Sequence, residues 1–312
     1  MIDTIYVEIS KELIGNTTYK DIKSNLFKHE KLWPGYDPNV HVGKMKNLRV
    51  KFFDDHIKIQ GSIPKELYGN NIQIPSYKEI FDLFSFAERE YGLPIHRGHL
   101  TQIDFGYNFY MDNPVEMYLK CLQETPGYSF SRFKGSVYYH KDNYKLHFYD
   151  KGREIRKKMA SDPSIGKLPS KILNANILRY EISIHSRLYQ YFDFDSLKPV
   201  LVHSPTFRNR LFEIWQDRYW SIDKKKLLHF DKSLTTLPKL KPQVWLKGVE
   251  ALGGLKSLVE EFKELKSCEQ ISQKQYDSLS SWTKRISKEA DLISKEPLVE
   301  ELNKKMRNVP QF

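Results

Sequence analysis

The chain has 312 residues, 40% of them hydrophobic and 13% aromatic, enough for a substantial core and outside the compositional range of disordered proteins. Its formal charge of +11 and isoelectric point near 9.3 favour a polyanionic partner such as nucleic acid. Two cysteines, Cys121 and Cys268, make neither a disulfide framework nor a metal-ligand spacing, which points to a reduced, cytoplasmic protein. The first residues, Met1-Ile2-Asp3-Thr4, lack the basic and apolar regions of a secretory signal. No apolar run approaches the roughly 18 residues of a membrane span. Residues 1–220 carry 32 Lys and Arg against 26 Asp and Glu, and residues 221–312 carry 18 against 13. The excess is therefore spread over a broad surface and not confined to one basic arm.

In chain order, 5–9 reads as a first strand. Residues 15–46 read as loop-rich, with Pro34, Gly35, Pro38 and Gly43. Residues 48–53 and 56–61 read as a hairpin through Asp54-Asp55. Ile80, Phe81, Leu83, Phe84 and Phe86 give 76–91 a helical pattern that Gly92-Leu93-Pro94 closes. A strand follows at 100–106. Asn113 as a cap and Pro114 at the first position predict a helix to about Leu122. Strands at 133–140 and 144–150 pair across Lys141-Asp142-Asn143, a charged segment runs from Gly152 to Met159, and 178–185 is a further strand. Phe207, Leu211, Ile214 and Trp215 mark a helix over 206–220. Helical periodicity returns over 243–266, 272–287 and 297–306, with a break at Gly253-Gly254. This order predicts an α+β fold, an antiparallel central sheet with helices packed on one side, followed by a small helical C-terminal domain. The expected boundaries are a domain at 1–225, a linker at 226–242 and a helical domain at 243–312.

Three strands carry the chemistry. Side chains alternate along a strand, so Leu146 and Phe148 share one face while Lys145, His147, Tyr149 and Lys151 share the other. Gln102 and Asp104 oppose Thr101, Ile103 and Phe105. Arg179, Glu181, Ser183 and His185 oppose Leu178, Tyr180, Ile182 and Ile184. His140 joins Ser136 on a fourth strand. Any one of these polar residues is ordinary for the solvent side of an antiparallel sheet. Their coincidence on adjacent strands would put a tyrosine, two carboxylates, imidazoles and basic groups on one surface. Carboxylates and imidazole suit a divalent cation, and a cation with lysine suits a phosphodiester.

Common alternatives have no motif. GxxxxGK[ST] and GxGxxG are absent, as are HExxH and paired cysteines. In His96-Arg97-Gly98-His99 the two histidines are three apart, which puts them on opposite sides of an extended chain. Trp215, Trp245 and Trp282 fit a core better than a base-stacking surface.

Met1-Ile2-Asp3, Gln102-Ile103-Asp104, Ser136-Val137, Phe148-Tyr149-Asp150-Lys151 and Leu178-Arg179-Tyr180-Glu181 occur in an order that resembles rolling-circle replication initiators. The similarity is greatest to the filamentous-phage gene II/gene X family and extends to plasmid initiators with a tyrosine-x-lysine segment. It covers about residues 1–200. The resemblance implies an enzyme that nicks and rejoins DNA at a replication origin. A tyrosine attacks the phosphodiester, keeps a 5′-phosphotyrosine and leaves a 3′-hydroxyl for a polymerase. Carried over, Tyr149 is the nucleophile with Lys151 beside it, and Asp104 and Glu181 hold Mg²⁺ or Mn²⁺. His140 and His185 are candidate third ligands, because the superfamily's His-hydrophobe-His triplet is absent. Arg179, Lys145 and His147 are the expected DNA contacts, with pairing to a carboxylate the alternative for Arg179. The implied partners are origin DNA, duplex and single-stranded, with a host helicase and polymerase. The competing readings are a non-enzymatic DNA-binding regulator and a related transposase or relaxase.

Overall fold

The computed structural model describes residues 1–27, 33–34, 40–161, 169–185, 187–192, 194, 196–225, 241, 244–245, 248–249, 254–291 and 297–310. The chain divides into one unit of residues 1–223 and 305–312 and another of residues 224–304. The expected linker at 226–242 lies outside the described residues, apart from Lys241.

The first unit begins β1 (Ile2–Ser10), α1 (Lys11–Ile14), α2 (Asn16–Phe27), β2 (Trp33–Pro34), β3 (His41–Met45), β4 (Leu48–Phe52), β5 (His56–Ser62), α3 (Ile63–Tyr68) and α4 (Tyr77–Tyr91). It continues through β6 (His99–Met111), α5 (Val115–Cys121), β7 (Ser129–Phe133), β8 (Ser136–Lys141), β9 (Tyr144–Asp150), α6 (Lys151–Ser161), α7 (Ser170–Leu173), β10 (Asn176–Ile184) and α8 (Pro205–Trp220). Among the described residues ten strands form a single antiparallel sheet in the order β2-β3-β4-β5-β1-β6-β10-β9-β8-β7. The second unit holds α9 (Gly254–Ser267), α10 (Gln273–Asp291) and the start of α11 (Pro297–Arg307), and Trp282 meets Trp245 edge-on at 4.8 Å. Among the described residues no helix is long and apolar enough to cross a membrane.

The alternation read from the sequence is the alternation of burial. Leu146, Phe148, Tyr180, Ile182, Ile103 and Phe105 are buried on one face of the sheet. There Tyr180 stacks on Phe148 at 4.3 Å and on Trp215 of α8 at 5.0 Å, and its hydroxyl donates to the Trp215 carbonyl. Burying each such ring contributes on the order of 3 kcal/mol. Tyr19, Ile22 and Leu26 of α2 are buried, and Tyr19 packs edge-on against Phe52 of β4. Trp215 is a core residue, as expected.

Several local expectations are corrected. The span 15–46 contains α2 and β3, because Tyr19, Ile22 and Leu26 recur at helical spacing. The strand expected at 133–140 is β8, which begins at Ser136 after a turn at Gly135, φ +86°, that joins it to an unexpected strand, β7. Helix α5 starts at Val115 without a side-chain cap, and the Asn113 amide instead donates to the Tyr118 hydroxyl. Lys151 does not extend the β9 face. It opens α6, where Asp150 accepts from the Arg153 amide at 2.7 Å and so acts as a cap.

Candidate active site

Strand register arranges the polar face in rows. Thr4, Asp104, Ser183, Lys145 and His140 lie side by side across β1, β6, β10, β9 and β8. The next row is Gly106, Glu181, His147 and Tyr138, and the next is Asn108, Arg179, Tyr149 and Ser136. The predicted tyrosine, the glutamate and the arginine are therefore immediate neighbours.

At one end of this face a guanidinium is enclosed by carboxylates. Arg179 is 0% exposed, and its Nη2 donates to Asp3 Oδ2 at 2.7 Å while its Nε donates to Glu181 Oε1. Its Nη1 donates to Asn108 Oδ1 at 3.0 Å and to the Asn71 carbonyl at 3.2 Å. A bulge in the β1–β6 pairing between Ile2 and Thr4 falls at Asp3, and such irregularities re-aim a side chain. Burial opposes ionisation of Asp3, yet Arg179 and the Ser62 hydroxyl, at 2.6 Å, hold its carboxyl at about 2. Burial prevails at Glu181 and raises its pKa against the pull of Arg179.

Tyr149 stands over this cluster. Its hydroxyl donates to Glu181 Oε1 at 3.4 Å. Its ring stacks on His147 at 4.3 Å, and His147 stacks in turn on Tyr138 at 4.0 Å. Burial, then the Glu181 charge, push the phenol well above its ordinary value, with Arg179 opposing. Tyr149 is thus a neutral phenol at rest. The Lys151 ammonium lies 5.7 Å from the ring centroid and binds Glu154 at 2.5 Å. Burial lowers Lys151 to about 8, although Glu154 pulls the other way.

Asp104 accepts from the Ser183 hydroxyl at 2.5 Å and from Gln102 Nε2 at 3.1 Å, and burial raises its pKa. Asp104 and Glu181 are diagonal neighbours, because Glu181 faces Gly106 and Ser183 faces Asp104. Gly106 is required by close approach: a Cβ there would lie 2.6 Å from Glu181 Cγ. Among the described residues no three His, Cys, Asp or Glu side chains are grouped to hold a metal. Two carboxylates nevertheless fit the chemistry of Mg²⁺ or Mn²⁺, which complete their shells with water and substrate phosphate oxygens.

The structure separates His140 from the two carboxylates. It lies three strand spacings from Asp104, about 14 Å, with Lys145 between. With His185 it lines a cleft of about 470 Å³ that also includes Tyr128 and Lys141. The nearer imidazole is His147, whose Nδ1 is 3.9 Å from Glu181 and whose buried Nε2 has no hydrogen-bond partner among the described residues.

Of the expected DNA contacts, Lys145 is half-buried on the open face and near enough to Asp104 to lower its pKa. Arg179 is corrected, since its guanidinium is wholly engaged inside the protein. His147 is corrected as a cationic contact, because burial and then Lys145 depress it to about 3 and leave it neutral. Sequence reasoning gave Asp3, Asn108, Asn71 and Glu154 no role. Glu154 was legible as the i+3 partner of Lys151 on a helix. Asp3 was not, because its partner is 176 residues away.

Residues 1–204 match the family model for the N-terminal part of the gene II replication-associated protein of phages. No curated protein and no solved structure matches the chain.

Proposed function

The chain belongs to the family of phage replication-associated proteins, and on that premise we propose that it starts replication by nicking and rejoining origin DNA through Tyr149. The observation that carries this reading is the Tyr149 hydroxyl donating to Glu181, a carboxylate held in place by Arg179.

A phenol is a weak nucleophile at neutral pH and needs a base. Glu181 is that base: its raised pKa makes it a better proton acceptor than an exposed carboxylate. The Tyr149 oxygen bonds to phosphorus as the bond from phosphorus to the 3′ oxygen breaks, and the phenolic proton passes to Glu181. The departing 3′ oxygen takes a proton from Lys151, whose pKa of about 8 suits a donor near neutral pH. Reversal of these steps rejoins the strand without ATP, since the phosphotyrosine retains the diester linkage. Asp104 and the Glu181 oxygen that does not face Tyr149 would hold a divalent ion, which when bound offsets negative charge at the phosphate. Host helicase and polymerase are the partners this reading implies.

The test is a supercoiled plasmid carrying the chain's own origin, incubated with Mg²⁺ or Mn²⁺. Open circles with protein attached to a 5′ end are expected. Protein that binds the origin and leaves it supercoiled would make the chain a regulator. The nicking rate should fall above pH about 8, as Lys151 loses its proton. Lys151→Arg keeps a cation but does not yield its proton near neutral pH, so it should lower the rate and abolish that limb. An unchanged alkaline limb would remove Lys151 from the mechanism.

A further inference from the structure

We propose that the outward face of β3, β4 and β5 is a single-stranded DNA track leading to the tyrosine site. This rests on the reading that the chain acts on DNA, but it concerns a surface some distance from the reacting groups.

Strand register makes the surface continuous with the site. Lys44, Arg49, Gln60, Tyr6 and Gln102 form one row across β3, β4, β5, β1 and β6. A second row is Lys51, Lys58, Glu8 and His99. Gln102 ends the first row with its amide on Asp104. Three strand spacings, about 14 Å, take the chain of contacts from Arg49 to the strand carrying Asp104.

Within these three strands the charge has one sign. Strands β3, β4 and β5 contain four Lys and Arg residues, 44, 49, 51 and 58, and no Asp or Glu. All four are on the outward face, opposite the buried Met45, Leu48, Val50, Phe52, Ile57 and Ile59. Lys44, Arg49 and Lys58 are exposed and Lys51 is half-buried. Glu8, on β1, is 3.3 Å from Lys58. The balance of sign selects a polyanion. A flexible single strand fits a sheet face, where spaced cations follow phosphates and flat side chains stack with bases. Tyr6 supplies one such ring within the first row, and the stacked Phe53 and His56, 4.4 Å apart, flank the second. A duplex is read by a helix or ribbon entering a groove, and a broad sheet face offers neither.

The experiment uses the full chain with Lys44→Gln, Arg49→Gln and Lys51→Gln combined. A control variant removes the same charge from the helices α2, α4 and α5 through Lys20→Gln, Lys78→Gln and Lys120→Gln. Fluorescence anisotropy measures binding to oligothymidylate of about 30 nucleotides, to one of about 8, and to a duplex. The track variant should bind the long single strand about 10-fold more weakly, and its salt dependence should shrink by about 2 in log–log slope. The control should bind as wild type does. Cleavage of a short oligonucleotide spanning the scissile phosphate should stay within about 2-fold of wild type, because its contacts end before β4. Circular dichroism checks that both variants are folded. Equal losses in track and control variants would overturn the track in favour of general charge. Loss on duplex alone would reassign the face to duplex DNA. Wild-type protein that binds no DNA would instead sink the functional reading itself.

Discussion

Tyr149→Phe protein should form no covalent adduct with DNA and should nick its origin about 10⁴-fold or more slowly than wild type. The substitution removes one oxygen and little else. The phenolic hydroxyl makes a long contact to Glu181, so its loss costs under about 1 kcal/mol of stability. The ring remains to stack on His147. DNA affinity should therefore hold within about 2-fold, and the unfolding midpoint should barely move. Quantitative nicking of supercoiled origin DNA, read on an agarose gel, checks the result. Residual nicking near the wild-type rate would show that another group attacks the phosphate.

Arg179→Met should destabilise the first unit by about 3–5 kcal/mol, because it strands the buried Asp3 and half-buried Glu181 carboxylates that the guanidinium now neutralises. The sign with pH follows from those acids. Without Arg179, the folded-state pKa values of Asp3 and Glu181 rise above their unfolded values, so their ionisation opposes folding at neutral pH. Lowering the pH protonates both and should recover part of the loss. Adding Asp3→Asn to Arg179→Met should likewise restore stability, a non-additivity that marks direct contact. Urea unfolding at pH 7 and pH 5 measures all three effects. A loss below about 1 kcal/mol would mean that Arg179 holds neither carboxylate.

The site's location was legible because it depends on period two. Leu146 and Phe148 against His147 and Tyr149, and Tyr180 and Ile182 against Glu181, assign faces from sequence alone. Register was not legible, so the sequence could not distinguish His147, beside Glu181, from His140 and His185, which share a separate cleft. Lys151 was misplaced by extending the alternation one residue beyond the strand. Asp150 as a helix cap was the available signal against it. The enclosure of Arg179 needs Asp3, Asn71 and Asn108 at once, and no local pattern brings together residues from opposite ends of the chain. Helix α2 was readable from Tyr19, Ile22 and Leu26 but was obscured by the proline- and glycine-containing residues that follow it.

The most direct measurement starts from wild-type protein and a single-stranded oligonucleotide spanning its own origin. Nuclease and trypsin digestion, followed by tandem mass spectrometry, locates any nucleotide left on a side chain. The expected carrier is the tryptic peptide 146–151, in which Tyr149 is the only tyrosine. A nucleotide on Tyr138 or any other residue, or nicked DNA without an adduct, would contradict the assignment of Tyr149 as the nucleophile.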